Sequence, residues 1–584
     1  MLTARRGTVQ VKRGGTMAAP VEFVATCDSE LFAALRTLTK WRAVGTTQLP
    51  QPHAALAAYV KDNYSATELA DLETVLHNLG VLDIQFEPVA YPTRGGNYVG
   101  TRMPATNVKG AVGEMNWLWY LRDGVEAARG FMETYMYDHS RSYEYHMGRK
   151  LLFTSLHALT TPAQLGRLDD VIARGPAAGQ ADWPHISLLP NDLLTKGPNH
   201  WRNKQDTLAM TVHLTADALL RGYIKPRELT AAHRYLLASF VPLLQAVGYP
   251  CYESSGSWEE LAAVRTSVMA VETASLAKLQ QLLECDAAAN FTFLQKSYAR
   301  RHGRSQPAPS LRQAVDQLLH KGLHTLANRW AYEAPDYPVG SAQHRRADAA
   351  LLYLVRFDLP QLLARHGVPV RRSPNAQPMT ERELENALLA EIDTLNDPHT
   401  GGIRRYLGDS YQATNWNTYE KQAAMTALKD RLNQASSEDA REIDLDSKQQ
   451  ARNKLFAGGR EAAWTHPVLQ RSSWAAKRCL QSLREGDLQA ATHYRAQATT
   501  FLNRGLSLVS VGDRYHAVMQ LDGSLVLRPF TGLTEALLTM QDNQATFIIA
   551  STHGPLNWST AMLRESLALL KTATRELEAH VAQN

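Results

Sequence analysis

Residues 206–223 read DTLAMTVHLTADALLRGY, and this stretch sets the fold class. Leu208, Val212, Ala216, Leu219 and Leu220 recur at the three- and four-residue spacing that lines one face of a helix. The pattern halts near Gly222 and Pro226, residue types that stop helices. The same spacing extends outward along the chain. Leu261, Val264, Val268, Val271, Leu276, Leu279 and Leu283 predict a helix over 258–283. Thr380 with Glu383 three residues on is a capping-box start. Met562, Leu563, Leu567, Leu570 and Leu577 predict a last helix from about Trp558. Similar segments from about residue 115 onward number roughly a dozen, so the expected class is all-α.

Strand signals are sparse. Residues 517–527, AVMQLDGSLVL, alternate around Asp522-Gly523 as a tight hairpin does, and 545–550, ATFIIA, read as a strand beside it. The Pro- and Gly-rich stretch 84–101 reads as strands and loops over one end. Residues 302–309 and 371–379 read as loops, and 433–454 as a solvated connection or exposed helix. The expected division is a flexible basic tail over 1–20, an N-terminal elaboration over 21–110 packing on the main body, and one large helical domain over 111–584.

Composition excludes several classes. The chain has 584 residues, 44% hydrophobic and 20% charged, which fits a globular enzyme and not wholesale disorder. Lys and Arg total 62 against 57 Asp and Glu, and they are scattered, so no nucleic-acid footprint is present. No apolar run reaches the roughly 18 residues that span a bilayer, so no membrane partner is expected. The first 16 residues hold four basic side chains and no apolar core of a signal peptide. The widely spaced Cys27, Cys251, Cys285 and Cys479 read as reduced thiols, and the expected location is cytoplasmic. Eleven Trp and 22 Tyr against 13 Phe suit a cleft in which rings stack on sugar faces and their tips hydrogen-bond. Buried Trp in a large core explains the same numbers equally well.

Five clusters could carry chemistry, and four of them have a structural alternative. In 117–123, WLWYLRD, adjacent Arg122 and Asp123 offer the charged donor and acceptor that grip neighbouring hydroxyls; a helix start with solvated charges looks the same. In 200–206, HWRNKQD, Trp201, Gln205 and Asp206 offer an aromatic face and polar tips, although Asp206 also suits an N-cap. In 252–260, YESSGSWEE, the paired carboxylates Glu259 and Glu260 beside Trp258 suit a general acid with a raised pKa. Ser257 to Glu260 is equally a capping box. Arg405 and Tyr406 lie in 401–411, GGIRRYLGDSY, which mixes cations and aromatics ahead of Asn415 and Trp416. Glu535 follows Thr534 and precedes Pro555-Leu556-Asn557-Trp558-Ser559; alone it also reads as a first-turn acid.

The order of these motifs resembles glycoside hydrolase family 15, over roughly 112–575. Arg-Asp, a Gln-Asp helix entry, Trp-Glu-Glu, Arg-Tyr with Gly-Asp-x-Tyr and Asn-Trp, then Glu and Pro-Leu-x-Trp-Ser appear in the family's sequence. The resemblance implies an (α/α)6 barrel of six inner and six outer helices, here with a few short β-hairpins. It implies Glu259 as general acid and Glu535 as general base, with Arg122 and Asp123 holding the terminal glucose. Glu260 and Arg405 match further sugar ligands, joined by Tyr406, Trp201, Gln205, Asp206 and Trp258. The activity implied is inverting, exo-acting hydrolysis releasing β-glucose, with the two carboxyls about 6.5–9.5 Å apart. No cofactor or metal is implied, and the partner is a small carbohydrate. Two departures stand out: Glu535 is followed by Ala536-Leu537-Leu538, and a strand-like insert separates it from Trp558. With no starch-binding module or large β-sandwich, a short soluble α-glucoside is expected rather than raw starch.

The competing expectation is a catalytically inactive barrel, as in phosphorylase kinase regulatory subunits, that binds sugar or a partner protein. Retention of both Glu259 and Glu535 argues against it. An enzyme of similar fold acting on uronates or by phosphorolysis would use cations such as Arg202, Lys204, Arg404 and Arg405. No HExxH motif or P-loop is present.

Overall fold

The computed structural model describes residues 23–25, 28–38, 52–93, 96–105, 119–177, 183–188, 205–258, 262–285, 294, 310–341, 343–373, 375–409, 411, 461–519, 525–541, 546–551 and 554–583. In chain order the elements are β1 (Phe23–Ala25), α1 (Asp28–Leu38), α2 (Ala54–Ala57), α3 (Ala66–Asn78), β2 (Glu87–Thr93), β3 (Gly96–Arg102), β4 (Trp119–Tyr120), α4 (Leu121–Tyr137), α5 (Ser142–Leu159) and α6 (Pro162–Arg174). Next come β5 (Ser187–Leu188), α7 (Gln205–Leu220), α8 (Ala231–Val247), α9 (Thr266–Glu284), α10 (Leu311–Arg329), α11 (Leu352–Arg356), α12 (Leu359–Arg365), α13 (Glu381–Asp393), β6 (Ile403–Arg404) and β7 (Ala463–Trp464). The chain ends with α14 (His466–Arg484), α15 (Leu488–Ser507), β8 (Ser510–Met519), β9 (Leu525–Gly532), β10 (Ala536–Gln541), β11 (Thr546–Ala550) and α16 (Asn557–Gln583).

Helices α4, α7, α9, α11, α14 and α16 touch one another in that order, and α16 returns to α4. Outside this ring, α5 lies on α4, α8 on α7, α10 on α9, α13 on α11, α15 on α14 and α3 on α16. The architecture is therefore the expected (α/α)6 arrangement. Contacts between ends fix the direction of the inner helices. His466 stacks on Trp558 at 4.0 Å, at the starts of α14 and α16. At their far ends Glu133 of α4 pairs with Arg221 at 2.9 Å and Lys477 at 3.3 Å, and Lys278 of α9 pairs with Asp217 at 2.6 Å. Inner helices α4, α7, α9, α14 and α16 thus run parallel, and the outer ones return the chain.

An inner helix has no solvent face, and this corrects the one-stripe reading of 206–223. From Gln205 to Leu219 every residue except His213 is buried. The threonines among them remain tolerable because their hydroxyls find partners: Thr211 donates to Thr207 O at 2.9 Å, Thr215 to Thr211 O at 2.7 Å, and Thr207 to Asp206 Oδ1 at 3.4 Å. Midway along the ring, Arg356 of α11 pairs with Glu126 of α4 at 2.8 Å and Glu565 of α16 at 3.0 Å, all three buried. One guanidinium thereby offsets two carboxylates that could not otherwise leave water.

The capping box at Thr380 forms as expected, with Glu383 accepting from the Thr380 N–H at 2.8 Å. The helix expected over 258–283 begins only at Thr266. Before it, Ser254 bridges to Ala263 and Gly256 turns at φ +67°, where a Cβ would collide with the Arg265 side chain. Strand content exceeds the expectation of a few hairpins. A seven-stranded sheet runs β1-β9-β8-β11-β10-β7-β6. The hairpin foreseen around Asp522-Gly523 is β8–β9, with residues 520–524 outside the described set. Strand β11 joins β10 antiparallel and meets β8 in parallel at Ala550–His516. The two-residue strands β6 and β7 carry too few residues for a periodic signal, yet they extend the sheet to residues 403–404 and 463–464. Strands β2 and β3 pair antiparallel, Glu87 opposite Arg102 through Thr93 opposite Gly96. Among the described residues no helix is long and apolar enough to cross a membrane.

Candidate active site

The parallel ring brings the starts of several inner helices together, and the sheet is attached at the same end. Arg122 and Asp123 open α4, Gln205 and Asp206 open α7, and Trp558 opens α16. All five are buried, which corrects the alternative of solvated charges at a helix start. Arg122 donates to the Ser257 carbonyl at 2.5 Å, and the Ser257 hydroxyl donates to Asp206 Oδ2 at 3.1 Å. Asp206 Oδ1 accepts the Thr207 N–H at 2.8 Å. Ser257 is therefore a link between two ring helices and not the cap of its own. Arg122 also faces Asp123 at 3.5 Å and the Trp558 ring at 5.3 Å.

Trp258 sits beside this chain, half-buried, and its indole N–H donates to Asp348 Oδ1 at 2.6 Å. Its ring lies 5.3 Å from that of Trp464 on β7, and 5.9 Å from His466. Arg405, just after β6, is clamped by Asp409 through two bonds of 2.8 and 2.6 Å. Its guanidinium lies among Trp258 (5.6 Å), Trp464 (5.1 Å), Tyr411 (4.9 Å) and Tyr406 (5.6 Å). Tyr411 closes the set by donating its phenol to Glu535 Oε2 at 2.5 Å. Glu535 occupies the bend between β9 and β10, not a first helical turn, and its carbonyl accepts the Thr465 N–H at 3.3 Å.

The structure thus brings together Arg122, Asp123, Asp206, Trp258, Arg405, Tyr406 and Glu535, which stand up to about 410 residues apart in sequence. Gln205 is buried at the start of α7 beside Asp206. Glu259, Glu260 and Trp201 lie outside the described residues, as do Arg202, Lys204, Asn415 and Trp416.

Four site neighbours escaped the sequence reading. Trp464 and His466 flank the start of α14 in Trp-Thr-His-Pro, where an aromatic pair before a Pro-initiated helix was the available signal. Burial, with the Arg122 charge adding to it, holds His466 well below the ordinary histidine range and therefore neutral. Asp348 and Glu333 had no motif. Both are fully buried, Glu333 accepting from the Ser267 hydroxyl at 2.6 Å and its N–H at 2.9 Å. Burial, reinforced by the Asp348 charge, pushes Glu333 up to about 7.

Solved structures that match this chain include glycosidases and glucoamylases. A wild-type glycosidase aligns with 14% identity and TM-score 0.44, over 88% of this chain and 99% of that one. A glucoamylase from Saccharomycopsis fibuligera gives 12% identity and TM-score 0.46, over 89% and 97%. The Hormoconis resinae glucoamylase gives 12% and 0.44, over 88% and 73%. No family model and no curated relative matches the chain.

Proposed function

We propose that this protein hydrolyses terminal α-glucosidic bonds of short α-glucosides, releasing β-glucose from non-reducing ends. The observation that carries the reading is the Tyr411–Glu535 hydrogen bond inside the cluster of Arg405, Trp258 and Trp464. A carboxylate can accept several donors at once, so a phenol bond to one oxygen is compatible with taking a proton from water. In the proposed reaction Glu535 takes that proton as the water oxygen attacks the anomeric carbon. Glu259, the residue after Trp258, protonates the departing glycosidic oxygen from the opposite ring face. The carboxyls should then stand about 6.5–9.5 Å apart, leaving room for the water.

Aromatic faces and fixed charges are what such a substrate needs. Trp258, backed by Trp464, supplies flat apolar surface for a sugar ring, and Arg122, Asp123, Arg405 and Tyr406 supply donors and acceptors for its hydroxyls, with the wholly buried Asp206 acting through Ser257. Gln205, Glu260 and Trp201 complete the proposed set. Cytoplasmic action on a soluble oligosaccharide is part of the same proposal.

Proton NMR of the protein with maltose, isomaltose, trehalose and a short dextrin tests it. Early β-glucose is expected, and the sugar that yields it names the linkage. Early α-glucose would keep hydrolysis and overturn inversion. No turnover of any sugar would favour the inactive, sugar-binding barrel.

A further inference from the structure

The Asp348 side chain lies near the cleft, is bonded on both oxygens, and is not used by the proposed reaction. Its carboxylate is fully buried. Oδ1 accepts the Trp258 indole N–H at 2.6 Å and the Ala350 N–H at 2.8 Å. Oδ2 faces Arg345 Nη1 at 3.3 Å, and that guanidinium lies 3.4 Å over the Tyr406 ring. The N–H of the next residue, Ala349, donates to the Arg405 carbonyl at 2.7 Å. One short segment therefore ties the turn ending at Trp258 to the loop carrying Arg405 and Tyr406.

We propose that Asp348 is a positioning residue that sets the Trp258 indole plane and keeps it in register with Arg405 and Tyr406. This rests on reading the cleft as a glycosidase site. A neutral acceptor would satisfy the indole and the Ala350 N–H. The carboxylate also pairs with Arg345, whose guanidinium lies over Tyr406. Burying a charge here is costly unless both ends of the link are used. The placement of that charge between the two halves of the site is the reason to assign it a positioning role.

Two readouts separate this role from general stability. With the sugar that the wild type cleaves, Asp348→Asn should lower kcat about tenfold while KM changes less than about threefold. The double variant with Arg345→Met should lose less than the sum of the two single losses, because both changes break the Asp348–Arg345 pair. Additive losses would overturn the proposal. The second readout needs no turnover: the Trp258 indole N–H resonance, assigned by its disappearance in Trp258→Phe, should move in Asp348→Asn. An unmoved resonance would also overturn it. Should Asp348→Asn fail to fold, the same resonance in Arg345→Met decides, since loss of the ion pair alters the carboxylate that the indole bonds; there too an unmoved signal sinks the idea. A wild type that cleaves no sugar but shows the shifts would remove the glycosidase reading and leave the linkage standing.

Discussion

Tyr411 and Glu535 stand 124 residues apart, and a single phenol proton joins them. Tyr411→Phe removes that donor while keeping the ring beside Arg405, so kcat should fall about tenfold with KM and melting temperature nearly unchanged. Steady-state kinetics with a calorimetric scan would show it, and a loss confined to KM would contradict the assignment of Glu535. Glu259→Gln should cost about 10²–10⁴ in rate with little effect on fold. A Gln variant at near-full activity would remove Glu259 as the acid. At this scale the sequence was legible where side-chain chemistry is concentrated, in that Arg122-Asp123 and Trp258 come together in the structure, whereas Glu259 and Glu260 lie outside the described residues. It was silent on Asp348 and Glu333, because a buried carboxylate is identified by its neighbours, and those neighbours are distant in sequence.

Helices were legible where one face repeats, and the last of them runs over Asn557–Gln583 close to its expected start. Inner helices carried a weaker signal because burial on all sides erases the polar stripe that periodicity detects. The start of α9 was misplaced because Ser257 offered a plausible cap while its hydroxyl is engaged by Asp206. The sheet was hardest to foresee, since β1, β6 and β7 supply two or three residues each from distant parts of the chain. Packing between elements makes its own prediction at Gly322 of α10. A Cβ there would overlap the Tyr249 hydroxyl, which bonds Thr273 of α9 at 2.6 Å. Gly322→Ala should therefore destabilise by about 1–3 kcal/mol despite the better helix propensity of Ala, as urea unfolding would measure. A stabilised variant would show that α10 is free to shift.

The whole molecule holds imidazoles that its interior keeps neutral. His233 is fully buried, and burial, helped by the nearby His157, pulls it down to about 3. Its Nδ1 accepts the Thr230 N–H at 3.3 Å. The unfolded chain takes up this proton below about pH 6.5 and the folded chain does not, so the stabilisation is complete above that pH. It is lost as pH falls toward 3, by about 1.4 kcal/mol per pH unit. His233→Gln keeps an acceptor for the capping box and removes the titration. Urea midpoints between pH 7 and 5 should then fall less steeply than in the wild type; parallel slopes would show that His233 titrates normally. One consequence of the parallel ring concerns its electric field. Neighbouring helices in an antiparallel bundle cancel one another's dipoles, whereas helices that start at the same end add theirs, each about half a positive charge. The candidate site lies where α4, α7, α14 and α16 begin. Asp123 and Asp206, in the first turns of α4 and α7, place negative charge where that summed field favours it, before any substrate arrives.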